Sequence, residues 1–201
     1  YLGYYHHAND YWTEGLPFQA TGVINVCLNQ YKDLWLSNAT YHGPAARYVG
    51  HNVYEEEFFT NHSLAAIDAH GAMVRANATS APLFLVHAFH LLHTPLQIPQ
   101  AYLDKFAFID NGVRQHYASM VYYMDEVVGK LVAALKANGL WANSLLVFAS
   151  DNGGPIYYNN PQMSKNPTWQ GGGGSNNQPP SGVWRLRFRG LVVWGEQGGR
   201  P

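Results

Sequence analysis

His93 and the neighbouring pair Asp151-Asn152 are the side chains of this sequence whose types and surroundings suit chemistry. An imidazole held in a fixed loop can give a proton to a leaving oxygen. Thr94-Pro95 follows His93, and a proline restricts the backbone of the residue before it, which stiffens the loop. Asp and Asn together offer hard oxygen donors of the kind Ca²⁺ or Mg²⁺ takes. The pair carries one negative charge, so further anionic ligands must come from elsewhere. Each signal also has an ordinary explanation. Asp151-Asn152-Gly153 is a good Asx turn leaving a strand, and His93 is one of ten histidines. His87 and His90 are weaker candidates, the first because it falls inside an apolar run and the second because no fixed loop holds it.

The elements needed to position these groups are visible upstream of each. Pro82-Leu83-Phe84-Leu85-Val86-His87-Ala88-Phe89 is a continuous apolar run rich in strand formers, which predicts a strand buried on both faces. Ser144-Leu145-Leu146-Val147-Phe148-Ala149-Ser150 has the same character and runs straight into Asp151. Between them, Tyr117, Met120, Val121, Met124, Val127, Val128, Leu131, Ala134 and Leu135 recur at helical spacing over 113–138. Glu126 and Lys130 stand four apart on the other side of that helix, Asp110-Asn111-Gly112 is a turn or cap signal, and Asn138-Gly139 is a stop signal. Strand, long helix and strand is the grammar of an α/β unit with a parallel pair. Both candidate groups then fall at the carboxyl edge of one sheet, where open α/β folds bind ligands.

Elsewhere, a helix is expected over 56–79, carried by Phe58, Phe59, Leu64, Ala65, Ile67, Ala69 and Met73. A short helix with proline at its first position is expected at Pro99-Gln100-Ala101-Tyr102-Leu103. Residues 1–60 are rich in Tyr, Trp, His and Asn and read as loops with short elements.

Composition narrows the function classes. Of 201 residues, 47% are apolar and 12% charged, enough for a core and too little charge for a disordered chain. A net charge of −1 with scattered Lys and Arg gives no basic stripe for nucleic acid. No apolar run approaches the roughly 20 residues of a membrane span. The single cysteine, Cys27, does not support a disulfide framework within the chain. Asn38-Ala39-Thr40, Asn61-His62-Ser63 and Asn77-Ala78-Thr79 are acceptor sequons, which point to a secretory-route protein, lysosomal or extracellular. Cys-x-x-Cys, His-Glu-x-x-His and Gly-x-Ser-x-Gly are absent, and no Lys-Ser or Lys-Thr follows the glycines at 171–174 to make a phosphate loop.

Taken together, three stretches resemble the formylglycine-dependent sulfatases, of the arylsulfatase B type. They are Pro82-Leu83-Phe84-Leu85 with His93-Thr94-Pro95-Leu96-Gln97-Ile98-Pro99, then His116-Tyr117-Ala118-Ser119-Met120-Val121 with Met124-Asp125-Glu126-Val127-Val128-Gly129, then Gly139-Leu140-Trp141 with Phe148-Ala149-Ser150-Asp151-Asn152-Gly153-Gly154. The resemblance implies an α/β fold, an alkaline-phosphatase-like sandwich with a mostly parallel central sheet, here incomplete. It implies that residues 1–201 are part of a single catalytic domain. The core match is 82–154, a Gly/Asn/Pro-rich loop covers 155–182, and 183–201 is divergent.

The activity implied is hydrolysis of sulfate esters, with a sulfated carbohydrate or aryl sulfate as substrate. His93 would bind the ester and protonate the leaving oxygen. Asp151 and Asn152 would be ligands of Ca²⁺, and the nucleophile would be a formylglycine made from cysteine. The family's Cys-x-Pro-Ser-Arg nucleophile motif is absent, and Val26-Cys27-Leu28-Asn29 does not fit it. Its place in the family pattern lies before Tyr1, so these residues are expected to be inactive alone, and sheet edges left open by absent strands are expected to make them poorly soluble. Trp184, followed by Arg185, stands where the family carries a sulfate-contacting lysine. That departure supports an alternative, a non-catalytic remnant that binds sulfated glycans. A third reading is a phosphoryl-transfer relative of the same superfamily.

Overall fold

The structure, a computed structural model, describes residues 1–5, 11–12, 34–45, 53–93, 95–149 and 192–194, the last three by backbone alone. The first elements are three short strands, β1 (Leu2–Gly3), β2 (Trp35–Ser37) and β3 (His42–Pro44), in one antiparallel sheet of order β1-β2-β3. Leu2 faces Leu36, and Trp35 faces Pro44.

Two long helices follow, α1 (Glu55–Arg75) and α3 (Gly112–Ala137), with the single-turn α2 (Gln100–Leu103) between them. Glu55, Glu56 and Glu57 fill the first turn of α1 and Arg75 its last, the charge order that the helix dipole favours. Asn111 caps α3 by accepting the Arg114 N–H at 3.0 Å, as the Asp110-Asn111-Gly112 signal implies. The same helix ends at Asn138, and Gly139 takes the left-handed conformation at φ +71°. Pro99 caps α2 from outside rather than occupying its first turn.

The core lies where α3 meets the 91–98 segment and the start of α1. Met120, Tyr123 and Val127 of α3 pack there with Tyr11, Tyr54, Leu91, Leu96 and Ile98. Phe58, Phe59 and Leu64, the residues that suggest an apolar stripe on α1, are half-buried at its flank. The buried stripe is instead Glu56, Thr60, Ser63, Ile67 and Gly71, at four- and three-residue spacing and largely polar. Such a face needs polar partners, and the site described below supplies them.

The apolar run 82–89 differs from expectation. It makes no strand pairing among the described residues, and Phe84 is 89% exposed and Val86 70%. The second run forms β4 (Leu146–Phe148), which pairs antiparallel with β5 (Val192–Trp194), so the expected parallel pair is not made among the described residues. A strand exists through its neighbours, and sequence pattern alone does not supply them.

Candidate active site

His93 is exposed, and the segment that carries it is fixed from beneath. The anchor is Tyr11, fully buried although 82 positions away in sequence. Its hydroxyl lies 2.9 Å from the His90 carbonyl and 3.0 Å from the His93 carbonyl, so one proton is shared between the two. The Tyr11 ring stacks on the His90 imidazole at 4.2 Å and on Tyr54 at 5.5 Å. Its backbone N–H donates to Gln97 Oε1 at 3.0 Å, and its carbonyl accepts from Glu55 N–H at 2.9 Å. Tyr54 donates its hydroxyl to the Gln97 carbonyl at 2.8 Å. One tyrosine thus ties the start of α1 to both ends of the histidine loop.

The polar face of α1 completes the support. Glu56 Oε1 accepts the backbone N–H of His90 at 2.8 Å and of Leu91 at 3.1 Å. A carboxylate thereby serves donors that a sheet partner would otherwise take. Glu55 is hydrogen-bonded to His90 Nδ1 through one oxygen and accepts the Tyr4 hydroxyl at 2.8 Å through the other. Two turns along, Ser63 Oγ meets His87 Nδ1 at 2.8 Å. The turn itself closes with His93 N–H on the His90 carbonyl at 3.0 Å, and the His90 and His93 rings lie 5.9 Å apart. Pro95 and Leu96 are buried just beyond, which fixes the exit of the loop.

The electrostatics follow from burial. Desolvation, then the neighbouring Glu55, push Glu56 up to about 7, against the lowering effect of the two backbone donors. Desolvation also raises Tyr11 and Tyr54 well above the usual phenol range and lowers His87. Among the described residues, Glu56 Oε2, His87 Nε2 and His90 Nε2 are buried without a hydrogen-bond partner. On α3, Glu126 is held down chiefly by the Tyr102 hydroxyl at 2.7 Å, with Lys105 and Lys130 adding through charge.

Of the groups singled out from sequence, His87, His90 and His93 lie among the described residues. Asp151, Asn152, Cys27, Trp184 and Arg185 lie outside the described residues. Among the described residues no group of three or more His, Cys, Asp or Glu is arranged to hold a metal ion. Sequence reasoning missed Tyr11, Glu55 and Glu56 as supports. The acidic start of α1 was visible, but nothing local says that its first two carboxylates are buried.

The sulfatase family model matches residues 3–184, which takes in the histidine loop and its anchors. The chain belongs to the sulfatase family. Among curated relatives, this sulfatase chain is 37% identical to arylsulfatase J of Mus musculus over 95 residues, 45% of this chain and 16% of that protein. It is 33% identical to the uncharacterized sulfatase YdeN of Escherichia coli (strain K12) over 112 residues, 52% of this chain and 20% of that one. N-acetylgalactosamine-6-sulfatase of Rattus norvegicus is 31% identical over 80 residues, 40% of this chain and 14% of the relative. Among solved structures, Ps i-CgsB in complex with k-i-k-neocarrahexaose superposes with a TM-score of 0.59 at 30% identity, over 78% of this chain and 32% of that chain.

The sulfatase chain therefore spans between 14% and 20% of the length of these curated relatives. Its fold is the incomplete α/β, alkaline-phosphatase-like type expected from sequence. Among the described residues no helix is long and apolar enough to cross a membrane.

Proposed function

We propose that these residues are part of a single catalytic domain that hydrolyses sulfate esters, with His93 as the acid that protonates the leaving oxygen. The observation that carries this reading is an exposed imidazole on a loop whose backbone is pinned by a buried tyrosine and a buried carboxylate. A general acid works when its position is fixed before substrate arrives, and here the fixing is done by groups that substrate does not touch. The alcohol leaves as a neutral hydroxyl when it takes the imidazolium proton, which removes the cost of expelling an alkoxide.

Asp151 and Asn152 fit the role of cation ligands by donor chemistry, since carboxylate and carboxamide oxygens suit Ca²⁺. When bound there, the cation neutralises charge on the sulfate oxygens. The nucleophile, a formylglycine by family resemblance, belongs to sequence outside this chain. In the same reading, 155–182 is a Gly/Asn/Pro-rich loop, 183–201 has diverged, and strands outside this chain cover the exposed run 82–89.

A sulfated sugar is the proposed substrate class. It is supported by one relative named for N-acetylgalactosamine 6-sulfate chemistry and by a neighbour solved with a bound carbohydrate. The three sequons support passage through the secretory route to a lysosomal or extracellular destination.

The test is hydrolysis of a chromogenic aryl sulfate by the full-length protein, with and without a calcium chelator. Turnover that the chelator abolishes and Ca²⁺ restores is expected. Chelator-resistant turnover removes the cation from the mechanism. Binding of a sulfated oligosaccharide without any turnover establishes the non-catalytic alternative.

A further inference from the structure

The three sequons share a tripeptide pattern but not a geometry. Asn38-Ala39-Thr40 forms the exposed turn between β2 and β3. There the Asn38 side-chain oxygen accepts the Thr40 N–H at 2.9 Å, the Tyr41 N–H at 2.9 Å and the Thr40 hydroxyl at 3.1 Å. Amide and hydroxyl lie side by side on one surface, and the three donors on the oxygen leave the Nδ2 group as the free end of the amide. Asn77 follows the end of α1 in the left-handed conformation at φ 54°, exposed. Its partner Thr79 accepts the Ala81 N–H at 3.1 Å in an irregular, solvent-facing stretch.

Asn61-His62-Ser63 is different, because it sits inside α1. Residues two apart on a helix point to opposite sides. Accordingly Asn61 is exposed while Ser63 is buried, with its hydroxyl held by His87 at 2.8 Å. An enzyme that must grip the asparagine and the hydroxyl together cannot reach both.

We propose that Asn38 and Asn77 are glycan acceptors and that Asn61 is not. This rests on the secretory reading above. In the reaction, Asn Nδ2 forms a bond to the anomeric carbon of a sugar activated as a lipid-linked diphosphate. The carbon–oxygen bond to the diphosphate breaks with its electron pair, and the amide proton passes to a base of the transferring enzyme. Helix formation takes about a microsecond, whereas synthesis adds roughly 5–20 residues per second, so α1 has time to form as the chain emerges.

The experiment directs the full-length protein into the eukaryotic secretory route and maps glycans on the peptides of this chain by peptide mass after enzymatic release. Glycans on the Asn38 and Asn77 peptides and none on the Asn61 peptide are expected. Asn38→Gln and Asn77→Gln each remove one glycan, Thr40→Val removes the first while keeping its asparagine, and Asn61→Gln changes nothing. A peptide covering 59–65, free of the helix, is glycosylated by the same membranes. A glycan on Asn61 in the chain, a bare Asn38 or Asn77, or a refractory peptide overturns the proposal. The secretory reading is judged separately, by whether the natural full-length protein carries any glycan.

Discussion

Tyr11 Oη lies 3.0 Å from the main-chain oxygen of His93, across 82 positions of sequence. Replacing Tyr11 by Phe keeps the ring stacks on Tyr54 and His90 and removes the hydroxyl alone. The His93 carbonyl then loses the tyrosine donor, while the His90 carbonyl keeps the His93 N–H, at an expected cost of about 1–3 kcal/mol. Urea unfolding measures the loss, and hydrogen exchange at 90–93 should quicken. Unchanged exchange in that segment means that the hydroxyl does not hold the loop.

Glu56 makes the chain's stability depend on pH. It takes up its proton near 7 in the folded chain and at its ordinary 4.5 when unfolded, so between those values the folded form binds more protons. Stability from this group is therefore full below 4.5, falls as pH rises, and is lost on passing 7, by up to about 1.4 kcal/mol per pH unit. Glu56→Gln stays neutral throughout and should flatten that slope. Urea midpoints of the two proteins across this range check it, and parallel curves refute it.

Gly71 faces α3 with no room for a side chain. A Cβ there would meet Asn138 Oδ1 at 2.3 Å and Asn138 Cβ at 2.7 Å. Asn138 is not free to swing away, because Arg75 holds its oxygen at 2.8 Å and its nitrogen is held by Asp68 at 2.7 Å and by the Ala134 carbonyl at 3.0 Å. Gly71→Ala is expected to destabilise by about 1–3 kcal/mol despite alanine's better helix propensity. A thermal melt equal to or above that of the parent contradicts this.

His93→Ala in the full-length protein tests the proposed acid. Loss of general-acid assistance should lower kcat for an alkyl or sugar sulfate by about 10²–10⁴. A nitrophenyl sulfate, whose leaving group needs less help, should suffer less. Equal losses on both substrates would point to substrate binding instead of proton transfer.

Much of the helical structure was legible because it is local. The 3.6-residue rhythm of Met120, Val127 and Leu131, the cap at Asn111 and the stop at Gly139 each depend on neighbours within a turn or two. The buried face of α1 was not legible. Pattern reading favours Phe58 and Leu64, whereas Glu56, Thr60 and Ser63 go inside because a distant segment offers them hydrogen bonds. The run 82–89 shows the opposite failure. Its composition asks for a strand, yet strand identity depends on a partner, and among the described residues Phe84 stands exposed without one.

By itself, then, the sequence determined the existence of the helices, both ends of α3 and the family, and it singled out His93 as a group worth testing, since these rest on local spacing and residue order; α1 stops at Arg75, short of the expected 79. Only the tertiary structure decided how the histidine loop is held. The bonds from Tyr11 to His93 and from Glu56 to His90 and Leu91 join residues 82, 34 and 35 positions apart. Burial of that order comes from chain packing, and packing turns a surface-looking glutamate into the internal partner of a distant stretch of backbone.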